Sequence, residues 1–168
     1  MTEVFVAAGS NIDPLRNLSA ALERLERSYP SLRVSPAYRN KAVGFEGEDF
    51  VNLVVGFDTD QTLEQVRARL QVIESECGRP CEAPKWAPRS MDLDILLFGD
   101  KVRNEPGLIV PRPDLVKRPY MLKPIVDIAP SLQHPTLHRT MRELWDAFDG
   151  KDHAMVVVEL NGSRSEKQ

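Results

Sequence analysis

The chain has 168 residues, 42% of them hydrophobic and 28% charged, which suits one domain with a buried core. Its formal net charge of −3 disfavours a large nucleic-acid footprint, because such a footprint needs a basic face. No apolar run approaches the roughly 20 residues that span a bilayer, and the early acid Glu3 does not suit a secretion signal. We therefore expect a cytoplasmic monomer without membrane or nucleic-acid partners, with one domain over residues 1–160 and a polar tail over 161–168.

The first part of the chain predicts a strand, a helix and an interrupted strand. Residues 4–8 form a short apolar run typical of a strand. Asp13 is placed to cap the next helix, with Pro14 at its first position. Residues 32–38 are β-rich but contain Pro36, which favours an edge or irregular strand. The helix has an apolar face of Leu15, Leu18, Leu22 and Leu25, and Pro30 ends it.

The middle of the chain predicts a strand, a helix and a second, stronger strand. Residues 50–57 carry Val, Leu and Phe at alternate positions. Thr62 and Gln65 have the spacing of a capping box, and Gly78 suits the end of the helix that follows. Residues 90–98 form the most apolar β-rich run. The predicted helix has a buried face of Leu63, Val66, Leu70, Ile73 and Cys77.

The last third predicts short strands and two more helices. Residues 102–110 contain candidates for short returning strands, and residues 120–128 predict a helix with Pro124 in its first turn. A capping box over residues 140–143 begins another helix, and residues 154–160 are β-rich. That helix has predicted inward residues Met141, Leu144, Trp145 and Phe148, with Gly150 closing it. The order β-α-β-β-α-β with a helical end predicts an α+β sandwich, helices packed on a mostly antiparallel sheet.

The two cysteines, Cys77 and Cys81, lie four residues apart near a predicted helix end. A zinc site would need about four ligands, and the three histidines lie far along the chain. We interpret the cysteines as two reduced thiols.

Two acids occur at alternate positions of the strongest predicted strand. Alternate side chains of a strand share a face, so Asp92 and Asp94 would lie roughly 7 Å apart on one face. Two carboxylates that close repel each other, and Mg²⁺ is a cation that binds such oxygens together with phosphates. The alternative is an exposed edge strand whose acids are hydrated. Met91, Leu93, Ile95 and Leu97 would form the opposite, apolar face, and Leu96 and Phe98 would continue the acid face.

Lys85, Trp86 and Arg89 come just before the acid strand. Arginine matches phosphate oxygens with two hydrogen bonds, and tryptophan can stack on a base. Together with the acid pair they favour a Mg²⁺-bound nucleotide whose phosphate groups are transferred. A simpler alternative is an ion pair between Arg89 and one of the two acids. The sequence has no glycine-rich phosphate loop, so side chains and metal would have to hold the phosphates.

The run from Lys85 to Gly99, containing Ala87-Pro88-Arg89 and Asp92-Leu93-Asp94-Ile95, resembles the 6-hydroxymethyl-7,8-dihydropterin pyrophosphokinase family of the folate pathway. The resemblance covers roughly residues 3–148, and its central motif is long and specific. Other matching segments fall in the same order. They are Gly9-Ser10-Asn11, Phe50-Val51-Asn52, Glu74 through Gly78-Arg79, Val110-Pro111, and Arg118-Pro119-Tyr120-Met121-Leu122-Lys123-Pro124.

The resemblance implies a ferredoxin-like fold and transfer of the β,γ-diphosphate of ATP to the pterin's hydroxymethyl group, releasing AMP. It implies two Mg²⁺ ions at Asp92 and Asp94, which count as catalytic together with Arg79 and Arg89. The nucleotide contacts it implies are Gln71, Glu74, Trp86, Ile95 and Arg118, to which we add the cations Lys85 and Arg112. The pterin contacts are Val43, Phe50, Asn52 and Tyr120. From the residues alone, the alternative for Phe50 is a core side chain, and for Tyr120 an anchor at a helix start.

The chain departs from the family pattern at three places. It has Asn40-Lys41 where the family often has Thr-Pro, Cys81 where it often has arginine, and Arg112-Pro113 where it often has His-Tyr. Cys81 removes a phosphate-binding cation, for which Lys85 and Arg112 are candidates to compensate. These departures leave a second hypothesis, a non-catalytic or altered-substrate paralogue that keeps the pterin pocket. A third, a ferredoxin-like RNA-binding module, would need exposed aromatic and basic residues on the sheet rather than two acids.

Overall fold

A computed structural model of the chain describes residues 1–40, 50–77, 91–149 and 155–160. These ranges contain eight strands, four α-helices and one 3-10 helix. The strands are β1 (Thr2–Ser10), β2 (Arg33–Val34), β3 (Ala37–Asn40), β4 (Phe50–Thr59), β5 (Asp92–Phe98), β6 (Arg103–Glu105), β7 (Leu108–Val110) and β8 (Met155–Val158). The α-helices are α1 (Pro14–Ser28), α2 (Leu63–Cys77), α3 (Pro119–Ile128) and α4 (Met141–Asp146), and a 3-10 helix covers Pro113–Val116. No helix of the described ranges combines the length and apolarity needed to cross a membrane.

The main sheet is antiparallel throughout, in the order β5-β1-β4-β3-β8, and β2 also pairs with β4. Strands β6 and β7 form a separate hairpin. The central four strands follow the ferredoxin-like arrangement, so the predicted α+β fold is confirmed. The predicted irregular strand over residues 32–38 is confirmed, because Ser35 and Pro36 separate β2 from β3. An edge position holds only for β2, since β3 lies inside the sheet between β4 and β8.

Each face of the sheet is covered by its own pair of helices. On one face, the apolar side chains of α1 and α2 pack on alternate residues of β1 and β4, from Val4 and Val6 to Leu53 and Phe57. On the other face, α3 and α4 pack on residues that include Phe5 of β1, as part of a second buried cluster. Alternate residues of β1 and β4 therefore contribute to two cores, one on each side of the sheet.

A β-bulge in β5 changes the faces that alternation predicts for its last residues. Val6 of β1 pairs with Ile95 and Phe5 pairs with Leu97, so Leu96 is the extra residue without a partner across the pair. Leu97 consequently joins the α3 side and Phe98 joins the α1–α2 side. The predicted faces of Leu97 and Phe98 were wrong for this reason, whereas Leu96 lies on the predicted face.

The helix ends confirm the capping predictions in part. Thr62 with Gln65 and Thr140 with Glu143 form the reciprocal bonds of capping boxes. Asp13 precedes α1 but adopts a left-handed backbone with φ 43° and makes no side-chain cap bond. Because α3 begins at Pro119, Pro124 lies beyond its first turn, contrary to the prediction.

The inward face of α4 is less buried than its pattern predicts. Met141 is fully buried, while Leu144, Trp145 and Phe148 are half-buried against the second core. Helix α4 ends at Asp146, with Ala147 as its C-cap, so the predicted end at Gly150 was wrong. Gly78, the predicted end of the preceding helix, and the tail over residues 161–168 lie outside the described residues. Residues 155–158, to which no role was assigned, form β8 and add a strand beside β3.

Two buried tyrosines join distant parts of the chain. Tyr29, after α1, stacks on Phe57 of β4 with ring centroids 3.9 Å apart, and its hydroxyl donates to Gln61 Oε1 at 2.8 Å. Tyr38 of β3 donates to the Asp127 carboxylate on α3. Burial raises the pKa of Tyr29 to about 12, and burial and the Asp127 bond raise the pKa of Tyr38.

The pKa of Tyr29 predicts how stability changes at alkaline pH. Above pH 10 the unfolded chain ionises this tyrosine while the folded chain keeps it neutral, so its contribution to stability falls between pH 10 and 12. In Tyr29→Phe we expect a loss of about 1 kcal/mol at pH 8, from the Gln61 bond. The stability advantage of the wild type, measured by urea unfolding, should shrink above pH 10 and change sign before pH 12, because two pKa units correspond to about 2.7 kcal/mol. A constant difference up to pH 12 would contradict the assigned burial.

Candidate functional site

Three strands bring polar side chains together at one end of the sheet. Gly9, near the end of β1, pairs with Asn52 of β4 on one side and with Asp92 of β5 on the other. Neighbouring strands lie about 4.8 Å apart, so Asn52 and Asp92 are separated by about 10 Å along this row. A Cβ atom on Gly9 would lie 2.5 Å from Asn52 Oδ1. The absence of a side chain at position 9 therefore gives the Asn52 amide its place.

The two acids of β5 lie on the α3 side of the sheet, and both are accessible. Asp92 is exposed, and the Asp94 side chain is 37% exposed. Between them, Leu93 points to the opposite core, and its backbone N–H donates to Glu74 Oε2 of α2 at 2.7 Å. Glu74 thus fixes the start of the acid strand against α2.

Arg112 is placed beside Asp94 by the bulge in β5. The backbone N–H of Arg112 donates to the carbonyl of Leu96, the extra residue of the bulge, at 2.9 Å. Arg112 Nη1 then lies 3.8 Å from Asp94 Oδ1, with both side chains about one-third exposed. An ion pair this accessible contributes little to stability, at most about 1 kcal/mol, so a ligand can displace it.

A cleft of about 210 Å³ lies between α2, the start of β5 and β7. Its lining brings together the predicted nucleotide contacts Gln71, Glu74, Ile95 and Arg112 with the acid Asp94. Apolar residues of β7 complete the wall opposite α2. Arg118, the remaining predicted nucleotide contact among the described residues, is exposed at the start of α3 and does not line this cleft.

The predicted pterin contacts Phe50 and Asn52 lie at the start of β4, where this strand pairs with β3. Both are half-buried, and Phe50 belongs to neither core, so core packing does not account for it. Asn40 pairs directly with Phe50, and its buried amide nitrogen and oxygen have no partner among the described residues. In the sequence, Asn40 stands out only as a departure from the family pattern. Asn40 lies two residues after Tyr38 in β3, so the two side chains share a face of the sheet. Because Tyr38 pairs with Asn52, this is also the face of Asn52.

Comparison with known proteins assigns the family. The family model for 7,8-dihydro-6-hydroxymethylpterin-pyrophosphokinase (HPPK) matches residues 5–130. The chain belongs to this family. A pyrophosphokinase of that kind from Pseudomonas aeruginosa is 40% identical over 79% of this chain and 83% of its own length. Another, from Aquifex aeolicus, is 34% identical over 85% of this chain and 90% of its own length.

A solved structure of Plasmodium falciparum HPPK-DHPS has the same fold. It matches with a TM-score of 0.67 at 14% identity, covering 86% of this chain and 40% of that chain. This chain therefore spans about two fifths of that solved chain. The match supports the ferredoxin-like arrangement of the HPPK domain.

Several residues of the HPPK motif fall outside the described residues. Their predicted roles in binding and catalysis therefore stay predictions. They are the pterin contact Val43, the catalytic candidates Arg79 and Arg89, the nucleotide contacts Lys85 and Trp86, and the departure at Cys81. Tyr120 is described, and it is half-buried in the first turn of α3.

The acid pair of this HPPK chain has the chemistry that a magnesium ion requires. Carboxylate oxygens are ligands that Mg²⁺ prefers, and it commonly completes its shell with waters and substrate phosphates. Within residues 1–40, 50–77, 91–149 and 155–160, no three His, Cys, Asp or Glu side chains are grouped to enclose a metal. The accessible carboxylates of Asp92 and Asp94 therefore fit an ion shared with a bound phosphate better than an ion held by protein alone.

Gly9 and Asn52 should be energetically coupled. Gly9→Ala places a methyl group 2.5 Å from Asn52 Oδ1, and we expect a loss of about 1–3 kcal/mol in unfolding free energy. In the Asn52→Ala background the obstructing atoms are gone, and the next neighbour, the Val51 carbonyl, is 3.9 Å away. The same glycine substitution should then cost much less, measured by urea unfolding of all four proteins. Additive effects would mean that the close contact at Gly9 does not set the Asn52 position.

Proposed function

We propose that this chain transfers the β,γ-diphosphate of ATP to the hydroxymethyl oxygen of 6-hydroxymethyl-7,8-dihydropterin and releases AMP, at the end of the sheet marked by Gly9. The observation that carries the proposal is the row Asn52–Gly9–Asp92. An amide suited to a pterin edge lies on one side of β1, and Asp92, the first of the two acids that we assign to Mg²⁺, lies on the other. Acceptor and donor would thus meet across a single strand.

The pterin would bind at the start of β4. An amide both donates and accepts, which suits the mixed donors and acceptors of a pterin edge, so we assign Asn52 this contact. Asn40, buried beside Phe50 with both amide atoms unpartnered among the described residues, offers a second amide to the same ligand. The half-buried ring of Phe50 would cover one face of the pterin by stacking, with Tyr120 and Val43 completing the pocket.

ATP would bind from the cleft between α2 and β7 toward the acid pair. Gln71, Glu74 and Ile95 would contact the nucleoside part, and Trp86 and Arg118 would add contacts from outside the cleft. Arg112, next to Asp94, would bind phosphate oxygens, as would Lys85. The accessible ion pair between Arg112 and Asp94 fits this role, because phosphate and metal can each take one partner.

In the reaction, the hydroxymethyl oxygen of the pterin forms a bond to the β-phosphorus of ATP. The bond between that phosphorus and the oxygen bridging it to the α-phosphorus breaks, and AMP leaves with the bonding electrons. The hydroxyl proton is released to solvent or phosphate. Asp92 and Asp94 would hold two Mg²⁺ ions, which when bound would neutralise charge on the phosphate oxygens. Arg79 and Arg89 would stabilise the charge that develops on the phosphates during transfer.

The cellular location and the binding partners of the protein are part of the same proposal. We propose a cytoplasmic monomer of one domain that binds ATP and a pterin and no nucleic acid or membrane. The accessible acids on the sheet face would repel nucleic-acid phosphates unless metal were bound, which disfavours the RNA-binding hypothesis.

Asp94→Asn should lower kcat for AMP formation by about 100-fold or more, because a neutral amide binds Mg²⁺ poorly. The assay supplies ATP, MgCl₂ and 6-hydroxymethyl-7,8-dihydropterin and separates AMP from ADP by chromatography. Asp100→Asn is the matched control, since Asp100 is exposed in the turn that follows β5 and its substitution should leave kcat unchanged.

Three outcomes of this assay discriminate the hypotheses. Equal amounts of AMP and pterin diphosphate from the wild type support the proposal. ADP as the nucleotide product would show a different transfer. Calorimetric binding of the pterin without any nucleotide product would favour the non-catalytic paralogue.

A further inference from the structure

Arg67 lies in the nucleotide cleft but was not among the residues predicted from the sequence. It occupies α2 one turn before Gln71, and both line the cleft. Across the cleft, its Nη2 atom lies 3.2 Å from the position that a Cβ atom on Gly107 would take. The guanidinium therefore rests on the backbone at the start of β7 rather than extending into solvent, and Arg67 is half-buried.

No described residue supplies a counter-charge to Arg67. Among the described residues it makes no hydrogen bond and no ion pair, although arginines nearby do. Arg103 contacts Glu64 at 2.7 Å and Glu105 at 2.8 Å, and Arg112 lies 3.8 Å from Asp94. A half-buried cation without a partner in the described part of the chain is suited to a ligand in the cleft.

The position of Arg67 along the cleft indicates which part of a nucleotide it would meet. Seven residues of helix, about 10 Å, separate it from Glu74, which is bonded to the start of the acid strand. On the opposite wall, Gly107 and Arg112 lie on either side of β7, up to about 16 Å apart along an extended chain. Arg67 is thus at the end of the cleft remote from Asp94 and Arg112.

We propose that Arg67 binds the purine ring of ATP, with its guanidinium against the base at the end of the cleft remote from the acid pair. This inference rests on the proposed function, which places the phosphates at Asp94. The cleft between Arg67 and the acid pair is lined by apolar residues of β5 and β7, including Ile95 and Leu108, and an apolar lining suits a flat base. An arginine can contact such a ring through its face or donate to its ring nitrogens.

Gly107 makes this arrangement possible. Its φ is +76°, a conformation that L side chains rarely adopt, and a Cβ atom there would crowd the guanidinium of Arg67. A glycine at this turn thus serves both the backbone geometry of the β6–β7 hairpin and the space that Arg67 occupies.

The test compares Arg67→Ala with Arg69→Ala, which removes the same charge from an exposed position two residues along α2. We expect Arg67→Ala to raise the KM for ATP by about 10-fold with kcat unchanged. The inhibition constant of inorganic tripolyphosphate, which has no base, should not change. Arg69→Ala should behave as wild type in both measurements.

Two results would overturn the inference. An equal rise in the KM for ATP and in the inhibition constant of tripolyphosphate would show that Arg67 contacts phosphates. If neither constant rises, Arg67 is a surface arginine without a role in binding. Calorimetric dissociation constants for ATP and tripolyphosphate give the same comparison without turnover. A wild type that forms no AMP would therefore reject the pyrophosphokinase proposal while the role of Arg67 is still decided.

Discussion

The site depends on the hydrogen-bonded register of β1, the strand that pairs with both β4 and β5. This register places Gly9 between Asn52 and Asp92, and it is maintained over nine residue pairs with β4. A shift of β4 by one residue relative to β1 would turn the Asn52 amide toward the α1–α2 core. An apolar side chain would then take its place beside Gly9. The buried alternation of β1 and β4 therefore stabilises the fold and orients the site at the same time.

The bulge at Leu96 is a second constraint, and it links the sheet to the cleft. It lets Leu97 and Phe98 exchange faces, so that each is buried in one of the two cores. It also leaves the Leu96 carbonyl to accept the N–H of Arg112, which brings that arginine to Asp94. Arg112 thus has a defined position beside Asp94 of β5.

Local patterns predicted much of this structure because the relevant forces act within a few residues. Alternation in residues 50–57 assigned the faces of β4, and the capping boxes at Thr62 and Thr140 located two helix starts. The acid pair on one face of β5 followed from the same alternation. The bulge could not be predicted, because it arises from how β5 pairs with β1, a strand more than 80 residues away in the chain.

Other parts of the site depend on contacts between distant segments. The burial of Asn40 comes from the pairing of β3 with β4 and β8, and the position of Arg67 comes from packing of α2 against the turn at Gly107. Neither residue belongs to a sequence motif of its own. At Asp13 a local pattern was misleading. The residue type suits a helix cap, but its backbone is left-handed and the side chain makes no cap bond.

The most direct test of the account is whether a metal bound with ATP lies on the same row as Asn52. Mn²⁺ can replace Mg²⁺ and broadens NMR signals of nearby protons. With a non-hydrolysable ATP analogue and Mn²⁺, the side-chain amide signals of Asn52 should broaden strongly, whereas backbone amides at the far end of β4, near Thr59, should not. Broadening that spares Asn52 would contradict the arrangement of donor and acceptor on either side of Gly9.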